Sequence, residues 1–164
     1  MRKVLICLLT LTLIVGCAGT AKKSESTGSC AAPSKTYGNA ELDNFLQTSF
    51  DICSQLQEAQ ELLSETNEFI ADPGAYIAKK GSQAKAELRS KISKMIASIP
   101  EQIIKKAANT LKISGNATSA AKEVPGMDKM KAVKDVNGAV KNLKMAGELA
   151  PKIVDELEAL AAKF

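Results

Sequence analysis

The chain reads as an all-α protein, an up-and-down bundle of three or four long amphipathic helices preceded by a signal peptide and a flexible tether. Three observations predict this. From position 40 onward apolar residues recur at spacings of three and four, the period of one helix face. No run alternates with the period of two that marks a half-buried strand. Breaker clusters fall only at Asp72-Pro73-Gly74, at Ser114 to Ser119 and at Val124-Pro125-Gly126, which leaves long uninterrupted segments between them.

The first helical pattern is carried by Leu42, Phe45, Ser49, Ile52, Leu56, Ala59, Leu63, Thr66 and Ile70, widened by Leu46, Phe50, Cys53, Leu62 and Phe69. Residues 41–71 are therefore expected to form one helix of roughly 45 Å. Asp72-Pro73-Gly74 ends it, because Pro cannot donate and Gly tolerates a turn. A second pattern follows with Ile77, Ala84, Leu88, Ile92, Met95, Ile96 and Ile99. Ser98 stands three residues before Glu101 with Pro100 between them, a capping-box spacing that predicts a fresh helix or a kink. Ile103, Ile104, Ala107, Ala108 and Leu111 continue that apolar face. Ser114 to Ser119 reads as a loop, residues 120–123 as a weak stretch, and Val124-Pro125-Gly126 as a second loop. The last pattern spans residues 127–164 with Met130, Val133, Val136, Val140, Leu143, Leu149, Ile153, Val154, Leu157, Leu160 and Phe164 on its apolar face. Pro151 lies inside it, where a kink or restart is expected. Tyr37 and Tyr76 read as packing residues.

Charge is sorted along this body. Residues 41–72 hold eight acidic side chains and no Lys or Arg, whereas residues 79–112 hold nine basic side chains against Glu87 and Glu101. One reading is intramolecular: helices joined by the turn at position 73 pack antiparallel, and opposite charges select that pairing. Exposed ion pairs add little stability each, so register is the larger gain. The other reading leaves Lys79, Lys80, Lys85, Arg89, Lys91 and Lys94 free to meet anionic lipid headgroups. Nucleic acid is not an expected partner, since no aromatic residues interleave with the lysines. The chain lacks histidine, the commonest general base and metal ligand, and carries no GxSxG, HExxH, phosphate loop or CxxC pattern. A non-catalytic protein without cofactor or bound metal is expected.

The N-terminus holds the most specific pattern. Met1, Arg2 and Lys3 precede an apolar run from Val4 to Val15, about a dozen residues where a membrane span needs about 20. The run closes on Ile14-Val15-Gly16-Cys17, which resembles the lipobox of bacterial prolipoproteins. The resemblance covers the first seventeen residues and nothing beyond. It implies that residues 1–16 are removed as a signal peptide and that Cys17 becomes an N-terminus carrying a thioether-linked diacylglycerol and commonly a third acyl chain such as palmitate. Two or three chains make a stable anchor where one holds only marginally. Ala18 and Gly19 follow the cysteine in place of the Asp that retains enterobacterial lipoproteins at the inner membrane, so the resemblance implies an outer-membrane anchor facing the periplasm.

Residues 17–40 then form the lipidated N-terminus and tether, and residues 41–164 the bundle domain. Between positions 18 and 39 hardly any apolar side chain exceeds Ala, too little to offset the entropy of ordering. A coil of this length spans roughly 25 Å r.m.s.. With Cys7 lost in the signal peptide and Cys17 acylated, Cys30 and Cys53 remain. In an oxidising compartment they are a candidate disulfide; the alternative is a buried Cys53 and a free tether thiol at Cys30.

These readings lead to a lipid-anchored structural or interaction module of the cell envelope that docks on a protein partner. Two alternatives stand beside it. One is a carrier whose interior opens around a lipid or other apolar ligand, with Met95, Met127, Met130 and Met145 as adaptable lining. The other is a coiled-coil-like oligomer.

Overall fold

A computed structural model describes Cys30, Ala32, Pro33 and residues 35–164. The lipobox residues Ile14, Val15 and Gly16, and Cys17 itself, lie outside the described residues. The chain forms α1 (Ala40–Ala71), α2 (Pro73–Lys80), α3 (Ala84–Ile99), a π-helical stretch (Pro100–Lys105), α4 (Lys106–Lys112), α5 (Ser114–Glu123) and α6 (Asp128–Ala161). Among the described residues there is no strand. Because α3, the π stretch and α4 follow one another without a break, the bundle consists of three long rods, with α2 bridging one end and α5 closing the other.

Contacts at the two ends establish the directions. Tyr37, just before α1, bonds Asp135 near the start of α6. At the far end Phe69 stacks on Phe164 with ring centroids 4.8 Å apart. Thus α1 and α6 run parallel. Glu65 late in α1 lies 3.7 Å from Lys91 early in α3, so the middle rod is antiparallel to both. This is the expected up-and-down helical bundle.

Local chemistry explains the ends of α1. The Asn39 side chain accepts from the amides of Glu41 and Leu42 at 3.1 Å each, and Glu41 and Asp43 occupy the first turn, where acidic groups oppose the helix dipole. At the other end the Asp72 amide donates to the Glu68 carbonyl, while its carboxylate accepts from the Ala75 amide at 2.9 Å. Asp72 thereby caps both α1 and α2, and Pro73 takes a first-turn place where its missing N–H is not needed. The predicted break is a sharp hinge. Gly81 then turns the chain at φ 102°, a conformation that glycine adopts without strain.

The α1 stripe is buried nearly as its spacing predicts, through Leu42, Phe45, Leu46, Ser49, Ile52, Cys53, Leu56, Ala59, Leu62, Thr66 and Phe69. Late in the helix its centre sits on Leu62 and Phe69, with Leu63 and Ile70 at the margin. Ser49 and Thr66 are accommodated because each hydroxyl donates to the carbonyl one turn back, of Phe45 and Leu62, at 2.7 Å.

Four expectations are corrected. No capping box forms at Ser98, whose hydroxyl donates to the Met95 carbonyl instead. Pro100 has no N–H to close an α-turn, so the chain widens into a π stretch that keeps both Ile99 and Ile103 in the core. The expected loop at Ser114 to Ser119 is the first part of α5. Its buried Ala117, Ala120 and Ala121 lie against α1 and α6, and such packing outweighs weak local propensity. Helix α6 does not restart at Pro151 but runs on through it, since Gly147, whose carbonyl would lose its partner, and Pro151 are both exposed to water. Finally, Met130 is not on the apolar face: it is 83% exposed, and Met127 beside it, weighed as carrier lining, is 95% exposed. Asp128 and Asp135 meet Lys35 and Tyr37, which precede α1, so the first turns of α6 lie beside the segment before α1; Ala132 is buried there, while the side that carries Met127 and Met130 is left uncovered.

Candidate functional site

Two features lie outside the plain core, a strap where the N-terminal segment joins the body and a charged groove at the opposite end. The strap begins at Cys30, which forms a disulfide with Cys53 of α1, the Cα atoms 5.5 Å apart. Next to it a hollow of about 290 Å³ is lined by Ala32, Pro33, Phe50, Lys134, Asp135 and Asn142. Lys35 pairs with Asp128, and its ammonium also lies 5.6 Å from the Tyr37 ring centroid, within cation–π range. The Tyr37 hydroxyl donates to Asp135 at 2.6 Å. The Asp43 carboxylate accepts from the backbone amides of Tyr37 and Gly38 at 2.7 and 3.0 Å. The last part of the segment expected to be a tether is therefore held on the seam of α1 and α6 by a covalent bond and charge-assisted hydrogen bonds. Composition could not reveal this, because the partners of positions 35 and 37 on α6 lie 93 and 98 residues away.

The groove, of about 910 Å³, opens between α1 and α3. Glu58, Glu61, Glu65 and Glu68 form one wall, Lys80, Lys91 and Lys94 the other, and Leu62 and Met95 also line it. Glu65 is its centre, 3.5 Å from Lys80 and 3.7 Å from Lys91, and it accepts the Tyr76 hydroxyl at 2.7 Å. Lys79 meets Glu68 at 3.1 Å. Tyr76 in turn packs edge-on against Phe69 at 5.4 Å. Opposite charges thus do join α1 to α2 and α3 within the molecule. Of the six basic residues considered for lipid contact, Lys79, Lys80 and Lys91 are engaged by glutamates, while Lys85, Arg89 and Lys94 make no ion pair among the described residues.

The Tyr76 hydrogen bond, followed by the Lys91 and Lys80 charges, holds the Glu65 carboxyl below its ordinary value despite partial burial. Burial first, then the Glu65 bond and the surrounding carboxylates, pushes the Tyr76 phenol up to about 12. A raised folded-state value stabilises below the unfolded one, and that contribution is lost as pH rises from about 10 to about 12. The Glu65 contribution is present above 4.5 and is lost as pH falls through the lowered folded value. Tyr76→Phe should cost about 1–2 kcal/mol at neutral pH. In urea unfolding, the gap between wild type and variant should close between about pH 10 and 12; a constant gap would show that the Tyr76–Glu65 bond does not couple to folding.

Among the described residues no group of three or more His, Cys, Asp or Glu is placed to hold a metal ion, and no helix is long and apolar enough to cross a membrane. Fold and strap together define a class: an all-helical bundle whose N-terminal segment is stapled to its first helix. No family model matches the chain, and no curated protein and no solved structure matches it.

Proposed function

We propose that the chain is a lipid-anchored protein of a bacterial cell envelope, its helical body a non-catalytic interaction module held at the outer membrane on the periplasmic side. The observation that carries this reading is the Cys30–Cys53 disulfide a short distance after Ile14-Val15-Gly16-Cys17. A disulfide belongs to an oxidising compartment, which is where a lipobox would send the chain, so two independent features agree on export. At the centre of the groove Glu65 is engaged across helices by Lys80, Lys91 and Tyr76, as expected of a docking or structural body, and an envelope protein is the partner class proposed.

The other readings draw less support. Neither hollow is a closed apolar chamber of the kind an interior carrier needs. Only Ile113, Met127 and Met130 are large exposed hydrophobics among the described residues, a small area for an oligomer.

The test is metabolic labelling with an alkyne fatty acid in a bacterial host. The wild-type chain should take the label and yield a mature N-terminal peptide starting at an acylated Cys17; Cys17→Ser should take none. An unlabelled wild-type chain, or a mature N-terminus elsewhere, would refute the anchor.

A further inference from the structure

We infer that the corner made by the turn between α5 and α6 and the first turns of α6 rests on an anionic lipid bilayer, beside the acyl anchor. The inference deepens the anchored reading and rests on it. Met127 and Met130 are 95% and 83% exposed, and three residues apart on the start of a helix they point to the same side. Nothing else in the described body leaves large apolar side chains so bare.

Their surroundings identify the occupant. Lys122, Lys129, Lys131 and Lys134 are all exposed around them. Of the acidic groups nearby, Asp128 is paired with Lys35, which leaves Glu123 and Asp135, the acceptor of the neutral Tyr37 hydroxyl, against four lysines. Flexible apolar side chains ringed by long basic ones suit the boundary between headgroups and acyl chains. There the methionines enter the apolar layer while the lysine stems lift their ammonium groups to the phosphates. An acidic protein surface would match the lysines and leave the two methionines without a use.

The charge along α6 sets the orientation. Its first half, residues 128–144, has five lysines against two aspartates, and its second half, residues 145–161, has four acidic residues against Lys152. An anionic surface attracts the first and repels the second. The anchor also reaches. Cys53 lies thirteen residues past Ala40, about 20 Å along α1, and the corner lies beyond the start of α1. From Cys17 to stapled Cys30 there are thirteen residues, which span up to about 45 Å. Cys17 can therefore lie in the plane of the corner with slack to spare. The basic residues of α2 and α3 first considered for lipid contact give way to this surface, because three of the six, Lys79, Lys80 and Lys91, are turned onto glutamates.

The experiment uses the mature chain from position 17 carrying Cys17→Ser, exported behind a cleavable secretory signal so that it is unacylated and oxidised. It should sediment with vesicles of phosphatidylcholine mixed with phosphatidylglycerol and much less with phosphatidylcholine alone. The chain has no tryptophan, so Met127→Trp reports the corner directly, and its emission should shift to the blue on the anionic vesicles. Met127→Asp with Met130→Asp should weaken binding about tenfold or more. Lys129→Glu with Lys131→Glu should weaken it about as strongly, at roughly fivefold per lysine lost, and flatten its salt dependence. Lys85→Glu with Arg89→Glu on α3 should change little. All these positions are exposed, and helical circular dichroism checks that each variant folds. No binding to anionic vesicles, corner variants that bind like the parent, or loss confined to the α3 variant would overturn the proposal. Acylation is read separately: a chain labelled at Cys17 with an indifferent corner refutes the corner alone, whereas an unlabelled chain refutes the anchor and the corner with it.

Discussion

Reducing the Cys30–Cys53 bond should lower the unfolding free energy by about 3 kcal/mol, seen as a fall in the urea midpoint with little change in the helical circular dichroism of the folded protein. The bond has a sequence separation of 23, and in the chain-entropy model a loop of that length restricts the unfolded ensemble by about 3 kcal/mol. The folded side changes less, because Lys35, Tyr37 and Gly38 still hold the strap through Asp128, Asp135 and Asp43. The paired variant Cys30→Ser with Cys53→Ala should reproduce the reduced protein and become insensitive to reductant. Wild type and paired variant with equal midpoints under oxidising conditions would mean that the hydrogen bonds alone determine the strap.

The second large effect is expected in the core of α6. Leu143 is wholly buried, and Leu143→Ala should cost about 3–4 kcal/mol through lost transfer energy and the cavity left behind. Ala146, one turn further on, is equally buried. With Ala132, Ala139 and Ala150 on α6 and Ala59 on α1, it belongs to a row of small residues that lets the rods approach closely. Ala146→Leu adds three carbons where no room is left and should cost about 1–3 kcal/mol or more. Urea unfolding checks both, with the denaturant slope as control for two-state behaviour. An Ala146→Leu protein as stable as wild type would show that the rods can move apart there at no cost. Deleting and adding volume one turn apart should both destabilise, because interiors are packed to near crystalline density.

The alanine row also shows where reading along the chain stops. The large side chains of α1 and α6 announce their buried face through a period that any amphipathic helix must show. Alanine carries a weaker signal: Ala59 was legible from its place between Leu56 and Leu63, but Ala132, Ala139, Ala146 and Ala150 of α6 were not, since alanine is equally at home in the core and in water. The same ambiguity hid α5, whose Gly115, Asn116 and Ser119 read as loop formers until Ala117, Ala120 and Ala121 are seen against α1 and α6. Of the candidate site, Cys30 and Cys53 were legible as a possible pair from the chemistry of export. The Asp43, Asp128 and Asp135 acceptors of the strap were not, for a carboxylate on a solvated face looks the same in sequence whether or not a distant tyrosine or lysine arrives to use it. Met130 was misplaced for a related reason: it continues the apolar period of α6 on a side that no other helix covers.

What the sequence determined by itself were the local and periodic properties: the helical class, the hinge at Asp72-Pro73, the stripe of α1, the sorting of acidic and basic residues into successive segments, and the pair of cysteines. Each depends on residues within a turn or two of one another, or on composition alone. The tertiary structure alone decided the parallel pairing of α1 with α6, the helix at α5, the strap on their seam, which lysines are engaged by glutamates, and the bare methionines at the corner. Those outcomes depend on which surfaces meet across as many as 98 positions of chain. Burial and charge pairing are properties of surfaces in contact, and no contact exists until the rods have packed.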